Sequence, residues 1–448
     1  MKRQRFIHMF LTFLCAVFFV CAGFAMSNIL KRENTVAAHA ETEVTPTIYW
    51  AVSGDTLRIG STPQTGSPQG SFVGTAVQNW QTRITDKTKI TKIDVRTEIS
   101  PARMDSWFDG FTNLTDISTL DKIDVSNCTT LSATFRNCRS ITSLDPLKDW
   151  NTSNVTALTT VFDNCSSLSD LLPLSNWQVS SVTTAHWMFQ NCKQIQSLEP
   201  LSNWDFSSLG GIEMAFNGCS GITSVETIYN WDLSNCNDIS SLFSGMSSVT
   251  SIDFTRLQID KSKLLYVMSM VDNCASLEYL DVSGFISPDI PAKNIVTMFY
   301  NCPELKVIKG LDTWDTSNIE NFSSVFNSSS SLRSVDISSW SFDNATNIQA
   351  IFAGCSGLEV IKFNDSFVNA LNRLSTQNAY LPFPLHDAEG NVYNSVSDLK
   401  GGMTYYTNVE HTHYYIGEGT VVPPTCTEQG YTAKVCEGCG QTVKSDFV

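Results

Sequence analysis

The chain has little of what catalysis, nucleic-acid binding or membrane insertion requires. It holds six histidines in 448 residues, and within residues 106–365 the one histidine is His186. A Ser-His-Asp arrangement needs an imidazole beside its serine, so the plentiful Ser and Asp of that stretch have no base to work with elsewhere. No G-x-S-x-G, P-loop or H-E-x-x-H motif occurs. His186 aligns with Thr159 of an equivalent segment and reads as a solvated side chain on the outside of a helix. Charged residues make up only 16% of the chain, with Lys+Arg 29 against Asp+Glu 44 and a formal charge of −15. Five of the bases (Lys2, Arg3, Arg5, Lys31, Arg32) stand against Glu33 within residues 1–40; without that net +4 the body carries −19. An acidic body with no basic patch interleaved with aromatics repels phosphate backbones, which excludes nucleic acid as a partner.

Long apolar runs are also scarce. The main one, residues 6–26, follows the N-terminal basic cluster and leads to Ala38-His39-Ala40, an A-x-A cleavage pattern. Residues 1–40 therefore read as a signal peptide. Gly23-Phe24-Ala25 offers a second cleavage segment, and the run is long enough to span a bilayer if it stays uncut. Membrane contact is then expected only through that segment. Cys21 follows Phe18-Phe19-Val20, without the small residue that precedes a lipidated cysteine.

What the chain does have is a repeat. The unit Phe-x-(Asn/Gly)-x-x-x-(Leu/Ile/Val) recurs on Phe108, Phe135, Phe162, Phe189, Phe216, Phe243, Phe299, Phe326 and Phe352, with Val271 in the anchor place of the seventh unit. Ten units thus step by 26–28 residues, the signature of a solenoid. Within one unit Val155, Leu158 and Phe162 fall on one face of a short helix, with Thr152-Ser153-Asn154 as N-cap residues before it. Asn164 then sits where a left-handed residue is wanted, and Gly110, Asn137, Asn191, Gly218, Gly245, Asn273, Asn301 and Gly354 take the equivalent place. Asn and Gly tolerate positive φ, so this alternation specifies a turn; Ser328 is the departure. Next comes Leu168-x-x-Leu171-x-x-Leu174, which tightens to L-x-x-L-x-L at Val249/Ile252/Phe254, Leu277/Leu280/Val282, Leu332/Val335/Ile337 and Leu358/Ile361/Phe363, the leucine-rich strand pattern. The expected fold is an α/β solenoid, a leucine-rich repeat of about ten 26–28 residue units, each made of strand, loop, short helix and turn. The expected division is a signal peptide (1–40), an N-terminal β cap (41–105), the solenoid (106–365), a C-terminal cap (366–408) and a small Cys/His module (409–448).

Phe162-Asp163-Asn164-Cys165-Ser166-Ser167-Leu168 and Trp314-Asp315-Thr316-Ser317-Asn318-Ile319 resemble the units of BspA-type leucine-rich-repeat surface proteins over about residues 106–362. The segment from Trp50 to Ile59 is similar to the small β cap before such repeats, and Gly390-Asn391-Val392-Tyr393 with Met403-Thr404-Tyr405-Tyr406 to their closing segment. The resemblance implies a secreted or cell-surface bacterial protein that is not an enzyme. It also implies an adhesion or ligand-binding scaffold that meets a protein or glycan of a host or neighbouring cell. A passive stalk and a wall-active hydrolase are the rival expectations.

On such a scaffold the strand side is the natural binding face. Its early units offer mostly Ser and Thr, whereas the later ones present Glu278, Tyr279, Lys306, Arg333 and Glu359, the charged and aromatic groups that interfaces use. Cys138, Cys165, Cys192, Cys219, Cys274, Cys302 and Cys355 share one place in the unit that Phe111, Met246 and Ser329 take elsewhere. A place that accepts Phe or Met is a core place, and buried free thiols are expected there. Disulfides between stacked coils and a metal role are the alternatives. Asp145, Asp253, Asp281 and Asp336 recur after the leucine pattern and read as local caps rather than calcium ligands. The repeat body needs no cofactor on this reading. In the tail, Cys426, Cys436 and Cys439 follow His411 and His413, and C-x-x-C with a third cysteine and His413 makes a Cys3His shell for structural zinc. A disulfide with one spare thiol is the alternative.

Overall fold

The computed structural model describes residues 47–407 apart from 77 and 79, together with 420–422, 431–435 and 442–445. The export segment, residues 1–40, and the zinc shell of His413, Cys426, Cys436 and Cys439 lie outside the described residues. Among the described residues, no helix is long and apolar enough to cross a membrane.

The N-terminal cap is a four-stranded sheet in the order β3-β1-β2-β4, from β1 (Thr47–Ser53), β2 (Thr56–Gly60), β3 (Gln69–Val73) and β4 (Lys92–Val95). β4 runs parallel to β2 and starts the solenoid, because the backbone N–H of Ile93 at its centre donates to Asp116 of the next coil. Between β3 and β4, α1 (Trp80–Arg83) buries Trp80 against Trp107 and Phe108. The first coil is thereby covered with rings instead of water.

The coils that follow are leucine-rich-repeat coils, but their outer side is not helical. Buried residues come almost every third place, as in Val155, Leu158, Val161, Phe162, Cys165, Leu168, Leu171, Leu174 and Trp177. They are the ends of successive tight turns: Val161 N–H donates to Leu158 C=O at 3.1 Å, Cys165 to Phe162 at 3.0 Å, Leu168 to Cys165 at 3.0 Å and Leu174 to Leu171 at 2.9 Å. Other N–H groups cross to the following coil, Leu158 to Thr184, Thr160 to His186, Phe162 to Met188 and Asn164 to Gln190, all at 2.7–2.9 Å. An α-helix would close its hydrogen bonds within itself. The predicted short helices are therefore corrected to a chain of turns that bonds alternately within its own coil and to its neighbour. The Ser/Asn residues placed as helix caps bridge coils instead: Asn154 Nδ2 donates to Ser126 C=O at 2.7 Å and Thr152 Oγ1 to Gln178 C=O at 3.0 Å.

The turn predicted two places after each anchor is present in all ten units, with φ between 53° and 82°, and Ser328 adopts it at 65°. A second left-handed position lies two places before each anchor, at Ser106, Ala133, Thr160, Trp187, Met214, Ser241, Ser269, Thr297, Ser324 and Ala350. Such φ values are costly for β-branched and bulky residues. Here the conformation is held from both sides, since Thr160 N–H donates to His186 C=O and Thr160 C=O accepts from Asp163 N–H.

The leucine-rich segment takes two forms. In the early coils it is a turn of 3-10 helix, at Leu120–Lys122, Asp145–Leu147, Leu172–Leu174, Glu199–Leu201 and Ile228–Asn230. Pro146, Pro173 and Pro200 sit inside three of these and have no N–H to give to a sheet. A two-residue pair, β5 (Asp232–Leu233) with β7 (Gln258–Ile259), leads into the later coils. There the segment becomes true strand: β6 (Ser251–Asp253), β8 (Tyr279–Asp281), β9 (Val307–Lys309), β10 (Ser334–Ile337) and β11 (Val360–Phe363). β6-β8-β9 form one parallel sheet, and β10 pairs in parallel with β11 in another. The expectation of a strand in every unit thus holds only in the later coils.

The core is a set of ladders. Phe135, Phe162, Phe189 and Phe216 stack at 5.4–5.8 Å, and Trp150, Trp177 and Trp204 stack at 6.1–6.5 Å. Each of these tryptophans donates Nε1–H to the leucine carbonyl thirty residues earlier, as Trp177 does to Leu147 at 3.1 Å. The nine described cysteines are unbridged and buried. Their register reveals a role beyond filling space: the Cys138, Cys165, Cys192, Cys219 and Cys274 thiols donate to the anchor carbonyl of the coil before, at 3.0–3.1 Å. Ser329 Oγ does the same to Phe299 at 2.7 Å. The Phe108, Phe135, Phe162, Phe189 and Phe243 carbonyls also accept the backbone N–H three residues on, so the thiol fills the second lone pair of a buried carbonyl.

The last coil is closed by α2 (Asp365–Arg373), whose N-cap Asn364 side chain accepts from Phe367 N–H, and by β12 (Leu385–His386), β13 (Val392–Tyr393) and β14 (Met403–Tyr406). β14 lies antiparallel on β11 and pairs the edge that an open solenoid would expose. Three further strands, β15 (Thr420–Val422), β16 (Tyr431–Val435) and β17 (Thr442–Ser445), form an antiparallel sheet of their own.

Candidate functional site

The five residues proposed from sequence all lie on the strand side of the later coils, and the stacking pairs four of them. Lys306 Nζ lies 2.7 Å from Glu278 Oε2, and Arg333 donates to Glu359. Tyr279, in β8, stands between Ser251 of β6 and Val307 of β9 and is partly buried. Two places further along, the same face carries Asp281 with Lys309 at 2.7 Å and Asp336 with Lys362 at 3.4 Å. Burial pushes the Asp281 carboxyl up, but hydrogen bonds from Lys309 and Ser283 outweigh it and hold the group below its ordinary value. Lys309 is held above its own by the bond to Asp281. Coil stacking thus produces a charged face whose members already neutralise one another in pairs.

The recurring aspartates show why capping chemistry appears there. Asp253, Asp281 and Asp336 each accept from the backbone N–H two residues on, at 2.9–3.1 Å. Asp145 differs, because its own N–H and its carboxyl both engage Ser143 Oγ.

On this side the early coils carry, among the described residues, a single pair between coils at their start, Lys92 with Asp116 at 2.7 Å. A shallow hollow of about 450 Å³ lies among their loops, lined by Lys148, Asp149, Trp150, Asn151, Ser153, Asn176 and Gln178. Where the two halves meet, Arg256 pairs with Glu226 at 2.6 Å, and its guanidinium sits 4.2 Å from the centre of the Tyr229 ring.

On the turn side the structure overturns one sequence expectation. His186 is not a solvated side chain: it is largely buried, 14% exposed, and lies beside Glu213 and Asp238 of the next two coils. Burial lowers the imidazole to about 4 and raises Glu213 to about 8, with the Asp238 charge adding to the latter. Burial alone accounts for raising Asp238 to about 6. The signal that joins them was in the register, since Glu213 lies one 27-residue repeat after His186. Register brings residues together only once a helix is replaced by a ladder.

The coil geometry, with its anchor ladders and capped ends, defines a leucine-rich-repeat solenoid. A family profile described as "Mycoplasma protein of unknown function, DUF285" matches residues 102–224, 194–286 and 267–378. Those segments run together from 102 to 378, well over half of the 448 residues, and the chain belongs to that family. A leucine-rich repeat protein from Bacteroides ovatus is similar at 16% identity over 72% of this chain and 94% of its own, with a TM-score of 0.36. One from Eubacterium ventriosum is similar at 12% identity over the same shares, with a TM-score of 0.33. No curated protein sequence matches the chain.

Proposed function

We propose that the chain is a non-catalytic ligand-binding scaffold of the BspA-like kind. On this reading it is exported to the cell surface or medium and engages a protein or glycan of a host or neighbouring cell. The binding face is the strand side of the later coils. One observation carries this reading: Glu278, Lys306, Arg333 and Glu359 occupy equivalent places on successive coils, with Tyr279 next to Glu278, so a partner meets a regular array of charges and a ring. Such an array suits an extended partner better than a small substrate, because pairs exposed at a rim contribute to orientation and on-rate more than to affinity.

The test is a glycan and matrix-protein binding array probed with the exported chain, followed by K306E/R333E on each ligand found. The double reversal is expected to weaken binding at least tenfold, about 1.4 kcal/mol, while the far-ultraviolet spectrum and melting midpoint stay close to those of the parent. Binding that ignores the reversal would place the contact elsewhere, and a chain that binds nothing on the array would favour a passive stalk.

A further inference from the structure

We infer that His186, Glu213 and Asp238 form a binding site for a divalent first-row transition cation on the turn side of the early coils, with three protein ligands drawn from three consecutive coils. The three residues each bring one ligand atom within 4.8 Å of the others, and His186 Nδ1 lies 3.9 Å from Glu213 Oε2. A cation about 2.0–2.2 Å from each donor fits these separations after small rotamer adjustments.

Three features of the coils build the arrangement. His186 and Glu213 occupy the same place in adjacent coils, whereas Asp238 is in the following coil and two places nearer its start, in the row of bridged residues Thr184, Gly211 and Asp238. Gly211 makes the approach feasible: a Cβ there would stand 2.6 Å from His186 Cε1 and 3.6 Å from Asp238 Cβ. The glycine thus leaves open the space through which the imidazole reaches the carboxylates. The backbone N–H of Glu213 donates to His186 Nδ1 at 3.1 Å. That contact selects the neutral tautomer with its proton on Nε2 and occupies the Nδ1 lone pair, 3.9 Å from Glu213 Oε2, with a backbone N–H. A cation at Nδ1 takes over that lone pair.

Charge balance points the same way. Among the described residues, Glu213 has His186 as its ion-pair neighbour, and no Lys or Arg lies within ion-pair distance of either carboxylate. Two desolvated carboxylates side by side are unfavourable unless a proton or a cation joins them. The donor set of one imidazole nitrogen and two carboxylate oxygens suits zinc, iron or manganese more than calcium. Three ligands leave further positions to water or to a group on a bound partner.

The experiment uses the full chain carrying C436S and C439S, so that tail thiols do not take up metal. Zinc is the probe, with stoichiometry and affinity read by calorimetry and elemental analysis. The parent is expected to bind one zinc per chain and to gain several degrees in melting midpoint. E213Q/D238N and H186A are each expected to weaken binding at least tenfold and to abolish that gain. G211A, which keeps all three ligands but fills the gap, is expected to do the same. Metal-free E213Q/D238N should melt at or above the parent, because neutral amides remove buried charge. If it melts below, H186A, which leaves both carboxylates in place, decides the comparison. Zinc binding that is equal in parent and H186A, or no binding in the parent at 100-fold excess zinc, overturns the site.

Discussion

The early coils, up to about residue 230, and the later ones, from about residue 250, share one core and differ in one segment. Both stack Phe anchors and donate Trp Nε1–H to a carbonyl of the coil before, as Trp204 does to Leu174 and Trp340 to Leu311. Yet the leucine segment is a 3-10 turn in the first group and a strand in the second. One residue of spacing separates them. L-x-x-L-x-x-L lets two successive three-residue turns put every leucine inward, whereas L-x-x-L-x-L ends on the two-residue alternation of a pleated strand. β9 is the exception, with the longer spacing and a strand; Gly310 follows it at φ 85° and starts a new turn from there. The difference shows that the anchor ladder specifies the solenoid, while the leucine segment is free to set the character of one face. The strands present paired charges on that face coil after coil, whereas the coils with 3-10 turns have them at the two ends, Lys92 with Asp116 and Arg256 with Glu226.

If the ladder is common to both halves, Phe189→Ala in the early coils and Phe326→Ala in the later ones should each cost about 3–5 kcal/mol in urea unfolding. A loss under about 1 kcal/mol in either half would break the comparison at its base. A proline scan should separate the halves. Lys362→Pro, within β11 between β10 and β14, should cost about 3 kcal/mol by removing a ladder donor and straining the sheet. Pro173→Ala, in a 3-10 turn, should cost less than about 1 kcal/mol; equal effects would mean the two segments are not different structures.

Charge on the two sides gives a smaller contrast. Strand-side acids have lysines, but Asp163 on the turn side is pushed up to about 6 by burial, which outweighs Arg136. Because the folded value lies above the unfolded one of about 3.9, ionising Asp163 opposes folding. That cost is absent below pH 4, grows between pH 4 and 6 and is complete at pH 7. Asp163→Asn should therefore stabilise by about 1–2 kcal/mol at pH 7.5 and change nothing at pH 3.5; thermal melts at the two pH values check this. Asn164 supplies the smallest test. At its φ of 59°, Val should cost about 1–2 kcal/mol, whereas Gly should stay within a few tenths of the parent in the same urea assay. Similar losses from both would remove the left-handed turn from the description.

The sequence by itself determined the period, the anchors and the left-handed place after each anchor. These features repeat ten times in residue types with few conformational choices. It also placed Glu278, Tyr279, Lys306, Arg333 and Glu359 on one side, because they fall in the two-residue gaps between the inward apolar residues of the leucine pattern. Only the tertiary structure decided between helix and turns at Val155, Leu158 and Phe162. Residues three apart share a side in both, and the choice falls to hydrogen bonds that reach a coil 26 residues away. The left-handed places at Thr160 and Trp187 were hidden for the same reason: no residue preference marks a conformation that neighbouring coils impose. The pairing of Lys306 with Glu278, and the burial of His186 against Glu213 and Asp238, were likewise set by register between coils. A one-residue change in unit length moves such partners apart while leaving the local pattern of each unit intact.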